Sequence, residues 1–199
     1  MSYLESILLS FRHVFKRQAA FLWFVILTLG FLVRNDYYGV TSVVRALGLL
    51  PNTYFSLLHF FHSAAFTAAG LLDCWQRWVM QSDVACQVNC RHVIICDHTN
   101  GVKDARKMPA VATIHQDSET ASKPSFFRGH KWACLGLLSQ TAVKCLSMPL
   151  WTEIHPSDSL DSQAVRPVAK AIEIARRFSI KAYLVVDAFF AVGPVFLKA

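Results

Sequence analysis

Charged residues are scarce in this sequence, and acidic residues especially so. Asp, Glu, Lys and Arg together make up 17% of the 199 residues, whereas 54% of the residues are hydrophobic. This balance excludes an intrinsically disordered chain, because such chains have low hydrophobicity and high net charge. With 13 acidic residues against 20 basic ones, the net charge is +7. We therefore expect an anionic partner, either nucleic acid or a lipid surface.

Hydrophobic runs that are long enough to cross a membrane are also missing. The apolar stretch from Ala19 to Val33 spans about 22 Å as a helix, against a hydrocarbon core of about 30 Å. The stretch from Ala46 to Leu72 contains no charged residue, but Pro51 and His59 interrupt its apolar character. It fits a packed pair of helices better than a span in lipid. We expect no membrane partner, although a membrane-associated protein built on residues 19–72 is an alternative.

The six cysteines follow no common metal-binding or disulfide pattern. The densest group, Cys86, Cys90, His92, Cys96 and His98, lacks the paired C-x2-C spacing of zinc modules. No clean signal peptide precedes them, so reduced cysteines that pack as small hydrophobic residues are the better interpretation.

Two short apolar runs each end on an aspartate. The run from His92 to Ile95 predicts a buried strand that leads to Asp97, and the run from Ala182 to Val186 leads directly to Asp187. Parallel neighbouring strands lie about 4.8 Å apart, so acids at their carboxyl ends could share metal ions. This pair of aspartates is the candidate site.

The hydrophobic pattern divides the chain into a helical part, residues 1–90, and a mixed part, residues 91–199. Periodicity predicts helices over 3–18, 19–33, 41–47, 53–63 and 64–80. The helices at 41–47 and 53–63 have the rough shape of a helix-turn-helix, but an ordinary αα-hairpin is the preferred alternative. In the mixed part we predict strands at 92–95, 126–139 and 144–154, a helix over 162–178 and a strand ending at Asp187.

The predicted order, strand-strand-strand-helix-strand, matches that of the ribonuclease H-like fold. The fold class is therefore α/β, with a helical N-terminal region followed by an incomplete ribonuclease H-like domain. In that fold the first and fourth strands are neighbours in the sheet, which would bring Asp97 and Asp187 together.

A basic segment follows the first aspartate. Residues 100–109 carry Lys103, Arg106 and Lys107 and are polar enough to predict a loop. Such a loop suits a site that handles phosphate, because lysine and arginine neutralise backbone charge that a carboxylate would repel. A solvated charged loop is the alternative. Residues 113–124 are predicted to form a polar linker.

Several motifs together resemble those of DDE-type transposases of bacterial insertion sequences. The matching segments lie between residues 91 and 199 and are Cys96-Asp97-His98-Thr99, Lys103 to Val111, His115 to Ser125, Gly129-His130 and Val186 to Pro194. The helical segment from Thr41 to Ser63 is also similar to the N-terminal region of that family.

The resemblance implies a catalytic role for the two aspartates. Asp97 and Asp187 would be the first two acids of the catalytic triad and would hold two Mg²⁺ ions. One ion would activate the attacking water or 3′-hydroxyl, and the other would stabilise the leaving oxygen. The implied partner is double-stranded DNA at transposon ends, a homodimer is compatible with it, and the implied location is the bacterial cytoplasm. The candidate DNA-backbone contacts are Lys103, Arg106, Lys107, Lys123, Arg128 and Lys131.

One departure from the family pattern limits the expected activity. The third acid of the family is a glutamate on a helix well beyond the second aspartate, whereas this sequence ends 12 residues after Asp187. We therefore expect a truncated transposase that retains the motifs but does not perform the reaction. Glu119 or Glu153 could complete a metal site from upstream. A DNA-binding fragment without catalysis is the alternative function.

Overall fold

The computed structural model of this chain describes residues 3–36, 39–105, 107–115, 125–141, 143–155 and 163–197. The chain divides into two compact units, residues 1–78 and 79–199.

The first unit is helical. Its helices are α1 (Tyr3–Ser10), α2 (Gln18–Val33), α3 (Val40–Ala46), α4 (Thr53–Phe61) and α5 (Ala68–Gln81), and α5 continues across the boundary between the units. The single helix predicted over 3–18 is wrong: α1 ends at Ser10, and a short 3-10 turn covers Arg12–Val14. Residues 16 and 17 lie between that turn and α2, and Arg17 is extended, so the chain changes direction there.

Aromatic side chains form the centre of this helical unit. Phe15 is 3% exposed, and its ring lies 5.1–5.8 Å from the rings of Phe21, Phe24 and Phe66. Helices α2 and α3 approach closely at Gly30, where an added Cβ would lie 2.4 Å from Cγ1 of Val43. A side chain there would overlap its neighbour, so this approach requires glycine.

The described residues of the second unit form one mixed sheet and two α-helices. Its strands are β1 (Gln87–Val88), β2 (Arg91–Val102), β3 (Ala112–His115), β4 (Phe126–Gln140), β5 (Cys145–Ile154) and β6 (Ala182–Val185). Helix α6 (Val165–Arg177) precedes β6, and the short helix α7 (Gly193–Phe196) follows it. Strands β1 and β4 pair antiparallel with β2, and β3 and β5 pair antiparallel with β4. Strand β6 pairs parallel with β2.

Much of this arrangement matches the sequence-based prediction. Strands β4 and β5 and helix α6 lie within three residues of their expected bounds. The strands expected to be first and fourth, β2 and β6, are hydrogen-bonded neighbours. The observed class is mixed α/β, as expected.

Strand β2 was predicted too short. It continues to Val102 because the 15-residue β4 offers backbone partners along its length, as far as the pair Val102 and Gly129. The loop predicted over 100–109 therefore begins three residues later, and Asp97 lies inside a strand rather than at its end. The first three residues of the predicted linker, 113–115, belong to the strand β3, Ala112–His115.

Helix α6 covers one face of the sheet. Val168, Ala171 and Ile174 of the helix are buried, as are Ile94 and Cys96 of β2. Side chains alternate between the two faces of a strand, so Asp97 belongs to the opposite face. Among the described residues, no helix is long and apolar enough to cross a membrane.

Candidate functional site

The two candidate aspartates lie at corresponding positions on neighbouring parallel strands. The last paired residues of β2 and β6 are Ile95 and Val185. Asp97 is two residues beyond the first, and Asp187 is two residues beyond the second, with an extended backbone (φ −83°, ψ 178°). Continuing the observed register by two residues puts Asp187 beside Asp97, on the same face of the sheet.

The electrostatics of a nearby thiol are consistent with this arrangement. Burial raises the pKa of Cys96 to about 12, and the negative charges of Asp97 and Asp187 contribute to the increase. Burial also raises the pKa of Cys134, which pairs with Asp97 across the sheet, and the Asp97 carboxylate adds to that effect. Both carboxylates are therefore close enough to Cys96 to oppose formation of its thiolate.

Each aspartate uses one carboxylate oxygen to hold the backbone. Asp97 Oδ1 accepts a hydrogen bond from the backbone N–H of His98 at 2.7 Å. Asp187 Oδ1 accepts one from the backbone N–H of Phe189 at 3.2 Å and so caps the 3-10 turn Ala188–Phe190. Both residues are exposed, and in the described part of the chain no donor reaches the second oxygen of either one. These second oxygens are available to an external ligand.

These carboxylates fit a divalent cation, but only as part of a ligand set. Oxygen ligands from one or two carboxylates are typical of protein-bound Mg²⁺. Across the described residues, no group of three or more His, Cys, Asp or Glu side chains is placed to hold a metal. A cation at this position would keep most of its water ligands.

Glu153, an upstream candidate for the third acid, lies on the other face of the sheet. It pairs with Ala133, the residue opposite His98, whereas Asp97 pairs with Cys134. Its carboxylate forms a salt bridge with Arg166 of α6. Glu153 therefore does not complete the aspartate pair, because strand alternation points it away and an arginine already neutralises it. Glu119 lies outside the described residues.

An aromatic cluster attaches the turn after Asp187 to β2. The ring of His98 stacks on Phe190 with 5.0 Å between centroids and 3° between planes, and it contacts the edge of Phe189 at 5.1 Å. Lys131 Nζ lies 4.7 Å from the centroid of Phe189. Sequence analysis did not identify this role of His98. The turn itself could have been predicted from the sequence Asp187-Ala188-Phe189-Phe190, because aspartate is a preferred residue immediately before a helical turn.

The candidate DNA contacts fall into two places. Lys131 contacts Phe189 and is therefore near the turn that carries Asp187. Lys103 lies six positions beyond Asp97, about 20 Å along an extended chain. Its backbone N–H donates to the carbonyl of Arg128 at 2.9 Å, so these two basic residues are neighbours at the far end of the sheet. Arg106 and Lys123 lie outside the described residues.

Two side chains of β4 hold the basic connection between β2 and β3. The guanidinium of Arg128 donates to the carbonyl of Ala105 at 3.4 Å, and His130 Nε2 donates to the carbonyl of Pro109 at 3.0 Å. A carbonyl only accepts, so His130 Nε2 must carry a hydrogen. Lys103 and Lys107 are exposed on this connection. The connection is thus anchored to the sheet while its lysines face solvent.

Comparison with family models, with curated proteins and with solved structures finds no match.

The environment of His98 predicts a pH-dependent stability. Burial lowers the pKa of His98, and the positive charge of Lys131 adds to the effect, while Asp97 and a hydrogen bond to the Gln163 backbone act in the opposite direction. A lowered pKa means that the unfolded chain binds the proton more readily. The contribution of His98 to the free energy of unfolding is thus complete above about pH 6.5, the usual histidine pKa. It is lost as the pH falls below that value.

We expect His98→Phe, which keeps a flat ring against Phe190, to flatten the fall in the free energy of unfolding between pH 7 and pH 5. Urea denaturation at a series of pH values measures this slope. His155 also faces His98 and acts in the same direction as Lys131, so it is left unchanged. The matched comparison is His115→Phe at an exposed position of β3, a strand that pairs with β4, and it reports the effect of replacing a histidine elsewhere in the sheet. Equal slopes for His98→Phe and wild type would contradict the conclusion that His98 causes the loss of stability at low pH.

Proposed function

We propose that this chain is part of a DNA strand-transfer protein of the DDE transposase type and that residues 91–199 form a partial ribonuclease H-like domain. The observation that carries the proposal is the parallel pairing of β2 with β6 in the register Ile95 to Val185. This register supports a shared site for Asp97 and Asp187. The strand order β5-β4-β2-β6, with α6 before β6 in the chain, supports the proposed ribonuclease H-like domain.

In the proposed site, Asp97 and Asp187 would hold divalent cations through their second carboxylate oxygens. Bound Mg²⁺ would supply Lewis-acid stabilisation of the charge that develops in phosphoryl transfer. Lys131, whose ammonium group lies over Phe189 beside the Asp187 turn, would contact DNA from the opposite face of the sheet, because it pairs with Asn100, three residues beyond Asp97. The packing of His98 against Phe190 would hold that turn in position.

The role of the basic connection would be to position DNA. Lys103, Lys107 and Arg128 would contact the phosphate backbone about 20 Å from the aspartates, a distance that spans several base pairs of a duplex. Contacts of this kind fix orientation and carry no sequence information. Such a protein would act in the cytoplasm of a bacterial cell, on the ends of a mobile element, and a homodimer would allow two ends to be held at once.

Mn²⁺ replaces Mg²⁺ as the probe that tests the metal site. Free Mn²⁺ gives an electron paramagnetic resonance spectrum, and the loss of that spectrum measures binding. We expect weak binding that Asp97→Asn and Asp187→Asn each reduce by about tenfold or more, since even groups behind a metal ligand are worth 10–100-fold in affinity. The control is Asp83→Asn, which removes an acid from an exposed position outside the sheet. Equal affinity of Asp97→Asn and wild type would rule out the site.

The same samples test catalysis. We expect no Mg²⁺-dependent nicking of supercoiled DNA above background, because the described residues supply only two of the acids that the reaction needs. Nicking that Asp97→Asn abolishes would show instead that the chain has a complete site.

The DNA-binding role applies with or without catalysis. Each phosphate contact contributes about 0.9 to the slope of log affinity against log salt concentration. We expect the double variant Lys103→Ala, Lys107→Ala to lower the magnitude of that slope by about 2 for a short duplex, measured by fluorescence anisotropy. The control, Lys144→Ala with Lys181→Ala, removes the same charge from exposed positions elsewhere in the unit. Equal slopes for the two double variants would show that the binding reflects net charge alone.

A further inference from the structure

A cavity of about 280 Å³ lies in the helical unit, between the beginning of α2 and the polar side of α4. This volume is slightly below the usual range for small-molecule sites, about 300–1,000 Å³. Its wall combines four polar residues with two aromatic ones, namely Arg17, Ser56, His59, Ser63, Trp23 and Phe60.

The polar wall carries the positive charge of Arg17. Arg17 is exposed, and among the described residues no carboxylate forms a salt bridge with it. The described lining of the cavity includes no Asp or Glu. Ser56 and His59 are three residues apart and share one side of α4, and Ser63 follows two residues beyond the end of that helix. Their hydroxyl and imidazole groups therefore border the same space as the guanidinium.

The apolar wall is rigid. Phe60 is 7% exposed, belongs to the hydrophobic core of the unit and stacks on Phe66 with 4.7 Å between ring centroids. Trp23 packs against the same core and remains half-buried. A half-buried tryptophan on a fixed core offers a flat surface, and nucleic-acid bases stack on such side chains with little regard to sequence.

We propose that this cavity binds a nucleoside phosphate, with the phosphate against Arg17 and the hydroxyls of Ser56 and Ser63, and the base against Trp23. Guanidinium is the side-chain group that best matches the geometry of phosphate oxygens. The ligand is either a free nucleotide or one nucleotide of a DNA strand, because Arg17 and His59 at the rim are exposed and leave space for a continuing chain. This inference rests on the proposed function at one point, because a DNA strand is one of the two possible sources of the nucleotide.

The test uses the full chain with inorganic phosphate, deoxyadenosine monophosphate and a hexathymidine oligonucleotide as probes, titrated by calorimetry. We expect deoxyadenosine monophosphate to bind at least about tenfold more tightly than inorganic phosphate, since stacking of one base is worth about 1–3 kcal/mol. Arg17→Ala should weaken nucleotide binding by about tenfold or more, whereas Arg17→Lys should keep part of the affinity. The matched control is Lys16→Ala, which removes one exposed charge from the adjacent residue, outside the cavity lining.

Two results would overturn the proposal. One is an equal loss of affinity in Arg17→Ala and Lys16→Ala, which would indicate general surface charge. The other is equal affinity for deoxyadenosine monophosphate and inorganic phosphate. Tighter binding of hexathymidine than of the mononucleotide, with competition between them, would identify a strand as the source, and the reverse order would identify a free nucleotide. Asp97→Asn should leave the effect of Arg17→Ala on the affinity for deoxyadenosine monophosphate unchanged, so failure of the metal site and failure of this cavity are distinguishable.

Discussion

The parallel hydrogen bonding between β2 and β6 is the constraint on which the rest of the proposed site depends. These strands are separated by almost ninety residues of sequence, yet His92 to Ile95 pair one by one with Ala182 to Val185. A shift of a single residue would move every side chain of β6 to the opposite face of the sheet. The register is set by burial, because Ile94 on β2 is 1% exposed and faces the same side as its partner Leu184 and as helix α6.

The two faces of this sheet have different chemistry as a result. The face toward α6 holds Cys96, Leu135 and Leu137, each at most 2% exposed. The face with Asp97 and Asp187 is more open, and it also presents Tyr183 and Val185, which are 38% and 49% exposed. Exposed carboxylates need no buried counter-charge, so this face can keep two acids close together at little cost to stability. On the covered face, Glu153 is held by a salt bridge to Arg166.

Much of the fold could be predicted from the sequence because its strongest patterns are local. Strands β4 and β5 are long, and α6 has a clear apolar side, so each was predicted within a few residues. The end of β2 could not be predicted, because the polar residues His98 to Gly101 have weak strand propensity and become a strand only through pairing with β4. For the same reason the sequence predicts a linker where β3 lies. Tertiary pairing overrode local preference in both places.

The candidate site was predictable in part. Both aspartates followed apolar runs, and that pattern was enough to select them. The contacts that surround them were not predictable, because the stacking of His98 on Phe190 and the contact of Lys131 with Phe189 join three separate segments. The position of the basic connection was also misjudged. It was expected beside Asp97, but the additional length of β2 moves Lys103 about 20 Å along the strand.

The most direct test of the aspartate pair is a disulfide crosslink across β2 and β6. In a Cys134→Ser background, Asp97→Cys combined with Asp187→Cys should form a disulfide under mild oxidation, detected by mass spectrometry after proteolysis. Adjacent parallel strands lie about 4.8 Å apart, and disulfides join Cα atoms about 4.4–6.8 Å apart. The control pair, Asp97→Cys with Val186→Cys, should not crosslink, because its side chains point to opposite faces. A crosslink in the control pair, or none in the first, would contradict the shared site.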